Sequence, residues 1–73
     1  MKLIPMSREL KKEIALKGLS VSGYAGIIGH NKEYISLIVS GKKSPSPKLA
    51  LKIAESFDKK IEDLFEFDME EDV

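Results

Sequence analysis

The chain has 73 residues, 42% of them hydrophobic and 33% charged, with twelve basic and twelve acidic side chains that cancel to a formal net charge of zero. That length holds a single domain with a small core, so tight helical packing or association of copies is expected. There is no cysteine and one histidine, His30, which excludes disulfides and thiolate metal sites and argues against a protein-only zinc site, so no metal is expected.

No apolar run reaches the ~18 residues of a membrane-spanning helix, and no signal-like segment follows Met1-Lys2. The expected location is cytoplasmic, with no membrane partner and no cofactor.

Ser7 followed by Arg8–Lys17 predicts a first helix, capped by the Ser7 hydroxyl and stopped by Gly18, with Leu10 and Ile14 as an apolar stripe. Ser20 predicts the cap of a second helix over Val21–Ile28, and Asn31 that of a third over Lys32–Ser40. Each offers a side-chain oxygen to N–H groups that a first helical turn leaves unpaired. Gly29 stands between the two, where a helix end calls for a left-handed residue. Ala25 is small enough for a close crossing, and Ile28, Ile35 and Ile38 supply its apolar side. Gly23 and Gly26 weaken the second helix by roughly 1 kcal/mol each relative to alanine. The segment 20–41 therefore reads as a helix-turn-helix whose third helix keeps an exposed outer face.

A loop with Gly41, Pro45 and Pro47 follows. Ser46-Pro47 opens a fourth helix over Pro47–Phe57, because a capping hydroxyl precedes a proline whose missing N–H had no partner to lose. Ala50, Ile53, Ala54 and Phe57 form its core face, with Leu51 beside it, and a short fifth helix runs from Ile61 to about Phe65. From Phe65 to Glu70 apolar and acidic residues alternate with period two, a strand pattern. Lys2-Leu3-Ile4 is a short aliphatic stub at the other end. These ends either pair in a small sheet, within one chain or between two, or stay frayed with an aromatic folded back on the core.

The expected fold is all-α: a compact five-helix domain over residues 1–66, short terminal strands being one of the two open readings, with an acidic tail at 67–73. All twelve basic residues lie within residues 1–60 with five acids, a balance of +7, and residues 61–73 carry seven acids and no base. A basic body suits a polyanion partner. The acidic end either solubilises the chain or competes for the basic surface.

Taken together, these residues resemble the Cro/repressor-type helix-turn-helix family of small phage-type transcriptional regulators. The likeness runs without a gap from about Leu10 to Phe65. It rests on Lys17-Gly18-Leu19-Ser20 at the first helix exit, Tyr24-Ala25 and Ile28-Gly29 in the second helix, and Ile35 and Ile38 in the third. Gly41-Lys42-Lys43-Ser44-Pro45-Ser46, Leu51-Lys52-Ile53-Ala54 and Ile61-Glu62-Asp63-Leu64-Phe65 continue it. The resemblance implies binding of double-stranded operator DNA through the third helix, as a homodimer on symmetric sites. It places base contacts on Lys32, Glu33, Ser36 and Leu37, and phosphate contacts on Ser40, Lys42, Lys43, Ser44 and Lys48. The chemistry permits this: lysine donates to guanine, a carboxylate accepts from cytosine, and leucine packs on a thymine methyl.

Departures from the family pattern point elsewhere. Val21 stands where the family often has glutamine, Leu37 where a polar residue is usual, and Glu33 carries negative charge toward phosphates. Val21, Ile27 and Leu37 are thus a candidate apolar patch for a protein partner. The alternative function is an antirepressor that keeps the fold, pairs with a phage repressor and masks its DNA-binding surface. Ile14 and Val39 occupy positions where many family members form a salt bridge, and replacing both partners with aliphatics preserves packing. Catalysis finds no support: His30 has no nucleophile or carboxylate at a suitable spacing, and Gly23, Gly26 and Gly29 follow no strand.

Overall fold

The computed structural model describes residues 2–69, so the tail acids Glu70, Glu71 and Asp72 lie outside the described residues. Two short strands bracket five helices: β1 Lys2–Pro5, α1 Ser7–Leu16, α2 Val21–Ile28, α3 Lys32–Val39, α4 Pro47–Ser56, α5 Ile61–Leu64 and β2 Phe65–Asp68.

The polar residues that mark helix starts act as caps. Ser20 Oγ accepts from the Gly23 N–H (3.0 Å), Asn31 Oδ1 from Tyr34 (2.9 Å) and Ser46 Oγ from Leu49 (3.2 Å). Each satisfies one donor that the helix leaves orphaned. Gly29 closes α2 at φ +83°, letting its own N–H and that of His30 donate to the Ala25 carbonyl. Gly41 does the same service after α3 at φ +82°.

Ser7 departs from expectation. It is the first residue of α1, Met6 holds the cap position, and no side chain caps the helix. The Ser7 hydroxyl instead donates to the Val39 carbonyl at the end of α3 (2.6 Å), and the Met6 N–H donates to the Leu64 carbonyl (2.9 Å). Local sequence cannot announce an acceptor that arrives from residue 39. Helices α1, α3 and α4 also end one residue earlier than predicted, as does α5, because Phe65 turns extended (φ −137°, ψ 141°).

The chain ends pair within one molecule. β1 and β2 run antiparallel, with Lys2 opposite Asp68, Leu3 opposite Phe67, Ile4 opposite Glu66 and Pro5 opposite Phe65. Leu3, Pro5 and Phe65 point into the core, while Lys2, Ile4 and Glu66 face out. The pairing continues past residue 66, so Phe67 and Asp68 lie in the sheet, but the burial does not alternate there, since Phe67 is 41% exposed.

The core gathers one face of every helix. Leu10 and Ile14 from α1 and Ile35, Ile38 and Val39 from α3 are buried, as are Ala50, Ile53 and Ala54 from α4. On α4 it is Leu49 that fills a core place, whereas Leu51 is 47% exposed. Tyr24 of α2 stacks on Phe57 with ring centroids 5.0 Å apart. Ser56 Oγ donates to the Ile53 carbonyl (2.6 Å), so its single hydrogen is committed and the Tyr24 hydroxyl must be the donor to Ser56 Oγ (2.6 Å). Burial raises the Tyr24 pKa, opposed by that hydrogen bond. Among the described residues no buried side-chain nitrogen or oxygen lacks a partner.

Candidate nucleic-acid interface

α2 and α3 pack against each other through Ala25, Ile28, Ile35 and Ile38, all at most 3% exposed. With those positions turned inward, the helical period turns Lys32, Glu33, Ser36, Leu37 and Ser40 outward, and all five are exposed. They form one stripe along α3, since residues three and four apart share a face.

A groove of about 460 Å³ runs between this stripe and the start of α2, lined by Val21, Ser22, Lys32, Glu33, Ser36 and Leu37. The structure therefore brings the four expected base-contacting residues together with Val21. Val21 is half-buried and also packs against the core. Leu37 is 41% exposed. Ile27 is exposed but does not line this groove, so the apolar patch expected from three residues reduces here to Val21 and Leu37.

The loop after α3 is tied to the helix by one carbonyl. Leu37 O accepts from the Lys42 N–H (2.8 Å), the Lys43 N–H (3.2 Å) and the Ser40 hydroxyl (3.2 Å). Ser40 thus directs its hydrogen to its own helix, and donating it to a phosphate requires leaving that bond. Lys42 and Lys43 remain exposed, with the Lys43 ammonium 5.4 Å above the Tyr34 ring, a cation–π distance. Lys42, Lys43 and the half-buried Ser44 line a second groove of about 440 Å³ with Lys2, Ile4 and Pro5. β1 therefore adds Lys2 to the same basic rim.

Lys48, expected as a phosphate contact, lines a third depression of about 250 Å³ with His30, Ser46, Leu49 and Lys52. His30 and Lys52 were not among the expected contacts. Lys52 lies one helical turn after Lys48, a spacing readable from the sequence, but the approach of His30 is tertiary. The one ion pair among the described residues joins Lys59 Nζ to Glu13 Oε2 at 3.9 Å. The lysines on and around α3 take part in no ion pair among the described residues. Among the described residues no group of three or more His, Cys, Asp or Glu is placed to hold a metal ion, and no helix is long and apolar enough to cross a membrane.

A family model described as helix-turn-helix matches residues 10–64. An uncharacterized HTH-type transcriptional regulator of Archaeoglobus fulgidus is 41% identical over 66 residues, covering 90% of this chain and 93% of the relative. Another, from Methanocaldococcus jannaschii, is also 41% identical over 66 residues and is covered completely, with 90% of this chain. Among solved structures, the clp gene regulator ClgR from Corynebacterium glutamicum superposes with a TM-score of 0.67 at 21% identity. That match covers 78% of this chain and 61% of ClgR, and is a likeness of fold.

Proposed function

The chain belongs to the helix-turn-helix family of transcriptional regulators, and from that premise we propose that it binds operator DNA sequence-specifically through α3, one copy on each half of a symmetric site. The observation that carries the proposal is the continuity of the outward α3 stripe with Lys42 and Lys43 on the loop that leaves the helix. The loop lysines neutralise backbone phosphates and fix the approach of α3, while the stripe meets base edges in the major groove. There Lys32 donates to guanine, Glu33 accepts from cytosine N4, and the Ser36 hydroxyl serves either. Lys48, with Lys52 and His30 beside it, extends the phosphate track.

The test is fluorescence anisotropy on labelled duplexes over a range of salt. Lys42→Ala with Lys43→Ala weakens binding to every sequence and flattens the dependence of log K on log salt by about one to two units. An unchanged slope removes both lysines from the phosphate contacts, and no binding of the unaltered chain to neighbouring promoter DNA at low salt refutes the proposal.

The apolar walls of the α2–α3 groove favour a second reading, the antirepressor. Under it Leu37 anchors a partner repressor, and Leu37→Ala costs about 2 kcal/mol or more in that complex. Release of the repressor from its operator on adding this chain distinguishes the two. The regulators of Archaeoglobus and Methanocaldococcus named above lend no support to a phage or mobile-element origin, and the proposal does not extend to one.

A further inference from the structure

We infer that Tyr34 is a positioning residue for the DNA backbone: its ring holds the Lys43 ammonium on the flank of α3, ready for a phosphate. The inference rests on the DNA-binding reading above and separates two lysines that the sequence alone leaves equivalent.

Lys42 and Lys43 start from one anchor, since both N–H groups donate to the Leu37 carbonyl. Of the two, only the Lys43 ammonium lies over an aromatic ring among the described residues, 5.4 Å from the centroid of Tyr34. Tyr34 stands one helical turn before Leu37. A charge borne by the loop after α3 is thereby carried back to the first turn of the helix.

The kind of contact decides what this does. A carboxylate partner holds an ammonium but cancels its charge. Glu33 adjoins Tyr34 in the chain, yet it forms no ion pair with Lys43 among the described residues. An aromatic face attracts the cation through its quadrupole and leaves the full positive charge in place. An ammonium has three N–H donors, so those turned away from the ring are free for a phosphate oxygen. A lysine also loses rotamer freedom when it is immobilised at an interface. Holding it beforehand removes part of that cost from the moment of association.

The ring is held in turn. Tyr34 is half-buried and packs against the core. Its N–H donates to Asn31 Oδ1 at 2.9 Å, and the His30 ring lies 5.7 Å away, tilted by 44°. The exposed Lys43 therefore rests on a support that the fold itself fixes.

The test uses the full chain and a labelled random-sequence duplex at low salt, because a phosphate contact is made in every sequence. Tyr34→Leu, checked for fold by circular dichroism, weakens binding about two- to fivefold, the worth of an exposed cation–π contact. Tyr34→Phe keeps the ring and binds like the unaltered chain. With Lys43→Ala already present, Tyr34→Leu changes nothing further, whereas with Lys42→Ala present its full cost remains. NMR of the unaltered free chain needs no variant: the ring current shifts the Lys43 side-chain protons upfield of those of Lys42. A loss that persists undiminished beside Lys43→Ala makes Tyr34 a structural residue and overturns the inference. So does a Phe variant as weak as the Leu variant, or equal shifts at the two lysines. Each of these leaves the DNA-binding reading intact, while failure of the unaltered chain to bind any duplex removes both.

Discussion

Tyr24 joins the helix-turn-helix to the rest of the domain, and replacing it with phenylalanine isolates one hydrogen bond. The ring stays, stacked on Phe57 at 5.0 Å, so packing is retained. What is lost is the O–H donated to Ser56 Oγ; Ser56 keeps its own bond to the Ile53 carbonyl and is not stranded. The cost is that of a neutral hydrogen bond without a large desolvation penalty, about 1 kcal/mol. In a domain of this size that lowers Tm by roughly 4–8 °C. By contrast, Tyr24→Ala removes a fully buried ring and costs about 3–5 kcal/mol, much of the stability of a small domain. The difference between tyrosine and phenylalanine also depends on pH. Burial raises the Tyr24 pKa above its ordinary value of 10.0. The unfolded chain therefore loses the Tyr24 proton at a lower pH than the folded one. The stability this group contributes is complete below pH 10 and is lost as pH rises through the folded value. Urea denaturation followed by circular dichroism, from neutral pH to the alkaline limit of folding, should show the gap between the proteins narrowing above pH 10. A constant gap over that range, or a Phe variant as damaged as the Ala variant, refutes this account of the contact.

Two further predictions concern backbone and charge. Gly26 and Gly29 each have open space where a Cβ would stand, but only Gly29 has a positive φ. Gly26→Ala should therefore raise stability by about 1 kcal/mol, and Gly29→Ala should lower it by roughly 1–2 kcal/mol; thermal denaturation giving both the same sign contradicts the conformational explanation. Truncation after residue 69 removes Glu70, Glu71 and Asp72 while leaving β2 complete. We expect tighter binding to random duplex DNA, most evident at low salt where screening is weakest; an affinity unchanged at low salt makes those acids a solubilising end and nothing more.

The helix-turn-helix was legible because its punctuation is local. Ser20, Asn31 and Ser46-Pro47 cap within three residues of themselves, and Gly29 ends a helix through its own φ. The outward stripe of α3 followed from period and from the buried partners Ile35 and Ile38. Three features resisted because they depend on what arrives from elsewhere. Ser7 has the chemistry of a cap, but it falls inside α1 with Met6 at the cap position, and its hydroxyl donates to a carbonyl that comes from 32 positions away. Leu49 and Leu51 are equivalent in composition, and only the docked orientation of α4 buries the first and exposes the second. The chain ends carried a strand pattern without a partner, and pairing became definite only with a register that puts Lys2 against Asp68 and Leu3 against Phe67. At the candidate site, Ile27 had the same apolar character as Val21 and Leu37, and its place outside the groove was a matter of helix rotation.

The terminal sheet also sets an order of events during synthesis. Each helix closes on hydrogen bonds spanning four residues, but with 10 residues in α1 and only 4 in α5 the helices do no more than flicker until they pack. β1 is made before the helices and has no partner until Phe65–Asp68 has been made. Until then Leu3 and Pro5 lack Phe65, and the Met6 N–H at the head of α1 lacks the Leu64 carbonyl. A growing chain therefore carries its helices as a loose set and acquires its closed core in one late step, when the last strand meets the first. Synonymous changes that slow translation of the codons for Phe65–Asp68 should lengthen that open interval without altering the folded domain.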